Sequence, residues 1–546
     1  MTETTIYSAR AIVTMNPSRP LATHVAVRDG RVLGVGSQEE LAVIGGARLD
    51  DRFADKVLLP GFVEGHAHVL EGKVWSMAYV GFYDRRAPDG RLVSGLSSID
   101  AVVERLKSVS DAMADPDAPL MAWGFDPIYF KSRRMSRHDL DRVSTTRPIM
   151  VLHASLHISN VNSLLLERAG FDRGTNITGV QKLEDGTPSG ELQGIAARLR
   201  AFRVVGMDGL AGTIGREEVT RYSQSALIQG ITTIADLHND LPDDVVALYR
   251  ELAAGDELPI RLVPALASVS HAPKDGVEKI RRLRSFNSDR LHFGLVKLVV
   301  DGSIQGFTAR LSWPGYWNGA PNGLWYIAPE QLGTIVATYH QAGIQLHIHT
   351  NGDEATALAI EALEAALAAH PRPDHRHTLQ HCQLASPAQF TRMKALGLCV
   401  NLFSNHIFYW GDAHYEQTVG PERACRMNAT GTAERLGVPY AIHSDAPVTP
   451  LGPLFTAWCA VNRRTSSGRL LGVEERLSVL QALAAVTLGA AYTLKLDHLV
   501  GSIEAGKFAD FAVLEENPLE VSPERLKDIP VWGVVSGGRI FEAPRR

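Results

Sequence analysis

The feature that most constrains the fold is an alternation of strand-like and helix-like segments through the middle of the chain. Short β-branched runs that predict strands recur from Gly61 to Asp445, and from Thr232 onward most gaps between them have helical periodicity. We predict eight such strands, which is the count of a (β/α)8 TIM-type barrel of the α/β class. An open doubly wound sheet would produce a similar alternation.

The two ends of the chain share a different, β-rich pattern. Short β-branched runs occupy the first sixty residues, with a hairpin signal at Asp29-Gly30, and similar runs return near the C-terminus. We therefore predict a small β-sandwich domain formed by residues 1–59 and 500–546, with the barrel in residues 60–499. The gap between the first barrel strand and Gly230 is far longer than a βα loop requires, so residues 72–228 are predicted to form an inserted subdomain.

Composition excludes several classes of protein. The chain carries 55 Lys and Arg against 60 Asp and Glu, a net charge of −5, so it has no basic excess for nucleic acid. No apolar run approaches the ~18 residues of a membrane span, which argues against a membrane protein. The N-terminus lacks the pattern of a secretory signal, and the four cysteines are scattered without a C-x-x-C pair. A reducing cytoplasm is the expected compartment.

A His-x-His pair ends the first predicted barrel strand. Because side chains alternate along a strand, His66 and His68 point to the same side. On a barrel strand this side can be the interior, where two imidazole nitrogens would converge on one cation. The pair alone is a weak signal, since two histidines this close also occur by chance.

The ends of other predicted strands carry residues of the same chemistry. His349, His381 and Asp445 end the fifth, sixth and eighth strands. Active sites of such barrels gather at the C-terminal ends of the strands. Imidazole nitrogens and carboxylate oxygens are ligands that suit Zn²⁺ and similar divalent metals. The sequence thus predicts a metal site.

Lys297 interrupts an otherwise apolar strand, the fourth. Burial lowers the pKa of a lysine, and a neutral lysine can react with CO₂ to form a carbamate whose oxygens could bridge two metals. Pairing with an acid such as Asp301, or direct contact with a substrate, are alternative interpretations.

Several motifs resemble those of the amidohydrolase superfamily, in the branch that contains N-substituted formamide deformylase. They are Leu59-Pro-Gly-Phe-Val-Glu-Gly-His-Ala-His, Val296-Lys-Leu-Val-Val-Asp-Gly-Ser, His349-Thr-Asn-Gly-Asp, Gln380-His-Cys-Gln, Ser444-Asp-Ala-Pro-Val and the closing segment from Gly501 to Leu514. The resemblance implies a metal-binding barrel with a β-sandwich. It implies the following metal ligands: His66, His68, carboxylated Lys297, His349, His381 and Asp445, the last also acting as a proton shuttle.

Two departures from the family pattern concern the substrate side of the site. The family often has glycine before the Ser-Asp of the eighth strand, where this chain has His443. The loop after the seventh strand, residues 405–414, is rich in aromatic residues and histidine. The resemblance therefore does not identify a substrate.

The predicted ligands imply hydrolysis of a C–N bond in an amide, formamide or cyclic amide of a small molecule by metal-activated water. Asp445 would be the catalytic general base and then general acid, with zinc, as one or two ions, as the cofactor. His349 or His381 would polarise the carbonyl if one ion binds. The candidate substrate-binding residues are His157, Trp123, Asp301, Tyr409 and His443.

Two other functions fit the same sequence. One is non-hydrolytic chemistry at the same metal site, such as decarboxylation or hydration, and the other is a non-catalytic binding protein that retains the barrel. The second predicts a degraded ligand set, whereas each ligand position of the family is filled here. The predicted partner is a small-molecule substrate, and a homodimer is an assembly that such barrels often form.

Overall fold

A computed structural model describes residues 3–130, 133–207 and 214–544. Residues 1–2 and 545–546 of the predicted terminal domain, and residues 131–132 and 208–213 of the predicted insertion, lie outside the described residues.

The described part of the chain contains strands at both ends and throughout the middle. In chain order they are β1 Thr5–Val13, β2 Leu21–Arg28, β3 Arg31–Gly36, β4 Arg48–Pro60, β5 Phe62–Ala67, β6 Ala78–Tyr79, β7 Arg85–Arg86, β8 Leu92–Val93, β9 Leu120–Phe125, β10 Ile149–His153, β11 Ile158–Val161, β12 Val180–Lys182, β13 Pro188–Gln193, β14 Ile231–Asn239, β15 Arg261–Ala267, β16 Leu295–Val299, β17 Gln345–Thr350, β18 Thr378–His381, β19 Cys399–Leu402, β20 Tyr440–Ile442, β21 Phe511–Leu514, β22 Val531–Ser536 and β23 Arg539–Glu542.

Helices fill most of the intervals between the central strands. They are α1 Gln38–Leu41, α2 Leu70–Val74, α3 Ile99–Ala112, α4 Arg137–Asp141, α5 Ser163–Arg168, α6 Gly194–Val204, α7 Arg216–Leu227, α8 Asp243–Ala254, α9 Pro273–Arg284, α10 Pro329–Gln341, α11 Asp353–Ala369, α12 Pro387–Leu396, α13 Asn405–Ala413, α14 Gly420–Arg426, α15 Thr430–Leu436, α16 Pro453–Asn462, α17 Val479–Ala485 and α18 Leu488–Thr493. Within the described residues, no helix has the length and apolar character needed to cross a membrane.

The central sheet consists of parallel strands in the order β5, β14, β15, β16, β17, β18, β19, β20. These eight strands of the described chain follow the order of the sequence, which is the arrangement of a TIM-type barrel. The backbone N–H of Asp445 donates to the carbonyl of His66 at 3.0 Å, which links the end of the last strand to the end of the first. The predicted α/β barrel is confirmed, and an open doubly wound order is not observed.

Burial on both faces explains why the barrel strands have continuous apolar runs. Each residue of β15, which is apolar after Arg261, is buried, and so is each residue of β17, in which polar residues stand between the apolar ones. Helix α11 has one buried face. Along this face Ala355, Ala359, Leu363 and Ala366 recur at helical spacing. Polar residues inside such strands therefore need a specific role, because burying an unpaired polar group is costly.

Both chain ends contribute to one further sheet, in the order β23, β22, β21, β4, β1, β2, β3. Asp29 and Gly30 have positive φ, 53° and 73°, and form the predicted turn between the antiparallel strands β2 and β3. The apolar core of this sheet includes Phe53, Leu58 and Phe511.

The described residues divide into two compact units. One consists of Met1–His68, Ser223–Asp445 and Leu451–Arg546, and the other of Val69–Tyr222 and Ala446–Pro450. The second unit has its own mixed sheet, in the order β12, β13, β11, β10, β9, β6, and its own apolar core. The domain boundaries given from the sequence stay a prediction.

Candidate metal centre

The C-terminal ends of the barrel strands carry a group of polar side chains, all of them buried except His68, which is half-buried. His66 belongs to β5 and His68 follows it, Lys297 lies in β16, and His381 is the last residue of β18. Asp445 lies three residues beyond the end of β20. Because the strands are parallel and in register, these positions, far apart in the sequence, meet at one end of the barrel.

His66, His68 and Asp445 are in direct contact. The Oδ1 atom of Asp445 lies 3.0 Å from His68 Nε2 and 3.3 Å from His66 Nε2. The Nζ atom of Lys297 lies 3.0 Å from the same Nε2 of His66. Two imidazoles, a carboxylate and an amine therefore surround one point at the end of the barrel.

His381 lies beside this group, and His349 lies behind His381, without a direct contact to the group. The Nδ1 atom of His381 is 3.9 Å from Asp445 Oδ2, and its ring centroid is 4.7 Å from that of His66. The ring of His349 is 4.5 Å from that of His381, but its Nε2 faces the carbonyl oxygen of Gly302 at 3.2 Å. The predicted ligands are thus neighbours, and their role as ligands stays a prediction.

Lys297 is buried, and of the described acids it is Asp445 whose charge acts on it. Burial lowers its pKa to about 7, and the charge of Asp445 opposes this shift. Asp301 accepts hydrogen bonds from three backbone N–H groups, those of Arg310, Asn351 and Gly352. Of the described side chains, it is His349, at 3.6 Å, and not Lys297 that lies within ion-pair distance of Asp301. The interpretation of Lys297 as the ion-pair partner of Asp301 is therefore wrong.

An amide fixes which nitrogen of His66 faces the centre. His66 Nδ1 donates to Gln380 Oε1 at 2.7 Å, and Gln380 Nε2 donates to His347 Nδ1 at 2.7 Å. A histidine that donates through Nδ1 keeps its lone pair on Nε2, the atom that faces Lys297 and Asp445. Sequence reasoning missed Gln380, although a buried amide directly before a candidate ligand was a signal.

Glu64 is a second supporting residue that sequence reasoning missed. Its carboxyl group accepts hydrogen bonds from Ser444 Oγ at 2.7 Å and from the backbone N–H of His66 at 3.2 Å. Burial raises the pKa of Glu64 to about 8. Because it contacts the segments that carry His66 and Asp445, it holds the first and last strands in register. An acid two residues before His66 in a buried strand was its sequence signal.

The described residues include two groups of three side chains whose ligand atoms lie within 4.8 Å of one another. They are His66, His68 and Asp445, and His66, His381 and His443. Both ring nitrogens of His381 and of His443 are buried without a hydrogen bond to any described residue. Burial lowers the pKa of His66, His381 and His443 well below the ordinary value, so these imidazoles are neutral. Neutral imidazole nitrogens are donors that fit a divalent metal.

The predicted substrate-binding residues are placed differently. Asp301 is fully buried and engaged by backbone donors, an arrangement that favours positioning the loop after β16. Tyr409 lies in α13, half-buried, and packs against Phe408 and Phe455. His443 stacks on His66. Contact of any of them with a substrate stays a prediction.

Trp123 and His157 belong to the other compact unit. Trp123 is buried in β9 and packs against Trp75 and Tyr79. His157 is half-buried between β10 and β11, where its backbone N–H donates to Ser155 Oγ at 3.3 Å. The packing of these two residues does not test their predicted role in substrate binding, which stays a prediction.

The fold and the donor set define the class of barrel hydrolases that use a metal. The model of the Amidohydrolase family matches residues 54–541 of this chain, and the chain belongs to that family. This confirms the resemblance that the motifs indicated.

Relatives and a solved structure agree with this assignment. Protein LONG AFTER FAR-RED 3 of Arabidopsis thaliana is 28% identical over 527 residues, which cover 93% of this chain and 86% of that protein. N-substituted formamide deformylase of Arthrobacter pascens is 25% identical over 536 residues, covering 95% and 94%. An uncharacterized metal-dependent hydrolase from Pyrococcus horikoshii OT3 shares the fold, with a TM-score of 0.71 at 20% identity over 95% of this chain and 99% of that one.

A Gln380→Leu variant is expected to bind Zn²⁺ about 10–100-fold more weakly than the wild type, because outer-shell partners of ligand histidines have effects of this size. Leucine removes the acceptor that orients His66. The matched variant Gln380→Glu retains an acceptor oxygen and should stay close to the wild type. Competition with a chromophoric chelator measures both affinities. Equal affinities for the two variants would contradict the role assigned to Gln380.

Proposed function

We propose that this protein is a metal-dependent hydrolase that breaks a C–N bond in a small amide, formamide or cyclic amide. The observation that carries the proposal is the contact of buried His66 and Asp445 with half-buried His68, with Lys297 adjoining it, at the C-terminal end of a barrel. Membership of the amidohydrolase family and the name of the formamide deformylase relative support hydrolysis of this bond class.

We propose zinc as the cofactor. The residues that would hold it are His66, His68, Lys297, His349, His381 and Asp445. A divalent ion such as Zn²⁺, when bound, lowers the pKa of water to about 7 and polarises a carbonyl group. The side chains supply the orientation, since Gln380 directs Nε2 of His66 toward the group.

The role proposed for Lys297 depends on a neutral amine. A lysine with a pKa of about 7 is half deprotonated at neutral pH, and its neutral amine can add CO₂ to form a carbamate with release of one proton. The carbamate would carry a negative charge and two oxygen donors in place of an ammonium. This removes the repulsion that a buried cation beside His66 would exert on a metal ion.

Asp445 is the group suited to move a proton. Its Oδ1 faces His66 and His68, whereas Oδ2 faces His381 at the longer distance of 3.9 Å. Oδ2 can therefore accept the proton of the attacking water and return it to the departing nitrogen. The backbone N–H of Asp445, held by the carbonyl of His66, fixes the position of this carboxylate.

Removal of metal is expected to abolish activity reversibly. Protein purified without added metal is analysed for its metal content and then assayed on N-substituted formamides, open-chain amides and cyclic amides, with products identified by mass spectrometry. Chelation should lower turnover at least ~100-fold, because the ion contributes several kcal/mol to catalysis, and Zn²⁺ should restore it.

Other products would point to the competing functions. Loss of CO₂, or addition of water without C–N cleavage, would indicate decarboxylation or hydration at the same centre. Full turnover by metal-free protein would contradict the proposed function.

A further inference from the structure

His238 is the extra residue of a β-bulge at the C-terminal end of β14, the second strand of the barrel. Leu237 pairs with Ala265 of β15 and Asn239 pairs with Leu266, so β14 spends one more residue than β15 on this step. The φ angle of His238 is 156°, in a region that residues other than glycine seldom adopt. Bulges and strained residues concentrate beside active sites, where they redirect a side chain. The backbone at His238 therefore indicates a functional position.

The bulge changes the side toward which its neighbours point. Asn239 Nδ2 donates to Asp236 Oδ2 at 2.7 Å, and both side chains contact the hydroxyl group of Tyr249 in α8, at 3.1 and 3.2 Å. In a regular strand, residues three apart face opposite sides. Asp236 and Asn239 face the same side, that of the helix, because the extra residue lies between them. This leaves the interior side of the barrel to His238.

His238 lies at the same end of the barrel as the candidate metal ligands. Asp236 pairs with Ala67 of β5, so the residues that follow each of them, which include His238 and His68, lie at the same level. Burial, with the nearby charges of His68 and Lys297, lowers the pKa of His238 to about 4, so the imidazole is neutral at neutral pH. His238 belongs to neither group of candidate ligands among the described residues. It is a neighbour of the centre and not a part of it.

The two nitrogens of His238 differ in access. Nδ1 is buried and makes no hydrogen bond to a described residue, whereas the side chain as a whole is half-buried. In a neutral imidazole one nitrogen carries the proton and the other carries a lone pair. A buried N–H without an acceptor is rarer in proteins than a buried acceptor without a donor. The proton therefore belongs on Nε2, the nitrogen that a ligand can reach.

We propose that His238 is a further catalytic residue, which donates a hydrogen bond from Nε2 to the carbonyl oxygen of the amide that is hydrolysed. This inference rests on the proposed function. The carbonyl oxygen gains negative charge when water adds to the carbonyl carbon, so the hydrogen bond is stronger in the transition state than in the bound substrate. His238 keeps its proton throughout, because Asp445 is the group that carries the proton of the water.

The test compares His238→Leu with His238→Gln. Leucine has no donor, whereas the amide N–H₂ of glutamine can lie close to the position of the imidazole Nε2. On whichever formamide, open-chain amide or cyclic amide the wild type hydrolyses, we expect His238→Leu to lower kcat about 10²–10³-fold, the usual effect of losing one donor to this oxygen. His238→Gln should have a kcat at least tenfold above that of His238→Leu. Elemental analysis should find the metal content of the wild type in both variants.

The control is His498→Leu, which replaces an exposed histidine and should have wild-type kinetics. C–N hydrolysis that persists in His238→Leu with a kcat within fivefold of the wild type overturns this inference and leaves the proposed function in place. Loss of metal from His238→Leu also overturns it, because the residue would then act through the metal. Decarboxylation or hydration by the wild type without C–N cleavage overturns the proposed function and this inference together.

A third variant is used if His238→Leu does not fold. His238→Gly suits the observed φ angle, since glycine has no Cβ, and it opens space for free imidazole. A low kcat that added imidazole raises supports the role of His238 as a donor. A wild-type kcat without imidazole, or a low kcat that imidazole does not raise, contradicts it.

Discussion

A Lys297→Ala variant is expected to lose at least ~10³-fold in kcat/KM and to retain less metal than the wild type. The expected loss corresponds to the several kcal/mol that a correctly held metal contributes, at ~1.36 kcal/mol for each tenfold. The physical reason is that Lys297 lies 3.0 Å from His66 Nε2 and, as a carbamate, would supply oxygen donors at the centre. Elemental analysis measures the metal content. Steady-state kinetics measure kcat/KM on whichever of the formamides, open-chain amides and cyclic amides the wild type hydrolyses.

Two comparisons make this expectation specific to Lys297. Added acetate or propionate should partly restore metal content and turnover, because a free carboxylate can occupy the space of the carbamate. Lys274→Ala removes an exposed lysine of α9 and should behave as the wild type. Wild-type metal content and turnover in Lys297→Ala would exclude the role proposed for this residue.

An Asp445→Asn variant is expected to lose about 10²–10⁴-fold in kcat at saturating metal, the usual contribution of a general acid–base group. Asparagine keeps the size of the side chain and one oxygen, but it cannot accept a proton from water.

The control for Asp445 is Asp528→Asn, which neutralises an exposed acid that pairs with Lys527. It should have wild-type kinetics. A kcat for Asp445→Asn within tenfold of the wild type, with metal saturating, would show that another group moves the proton.

Local patterns were enough to predict the architecture. The Asp29-Gly30 turn, the continuous apolar barrel strands and the helices between them depend on residues close together in sequence. His66 and His68 face one side because strand geometry requires it. Parallel topology then predicts that the C-terminal ends of the strands meet. For this reason the sequence predicts that His381 and Asp445 lie near His66 and His68.

The contacts between side chains could not be predicted in the same way. Pairing of Lys297 with Asp301 was a reasonable hypothesis, because the two residues are four apart. In the structure Asp301 accepts from backbone N–H groups beyond β17, and Lys297 faces His66. The link from His66 through Gln380 to His347 depends on three rotamers on three strands, and the order of residues does not specify rotamers.

The sequence by itself determines the type of fold, the chemistry of the candidate ligands and the end of the barrel where they gather. These follow from the periodicity of each segment and from the parallel connection of the strands, both of which depend on residues close together in the chain. Tertiary packing alone decided which nitrogen of His66 faces inward, that Glu64 holds the first and last strands in register, and that His443 lies enclosed beside His66 with no hydrogen-bond partner among the described residues. These features arise because side chains from distant strands compete for the same small, water-poor volume, and that competition is resolved only when the barrel closes.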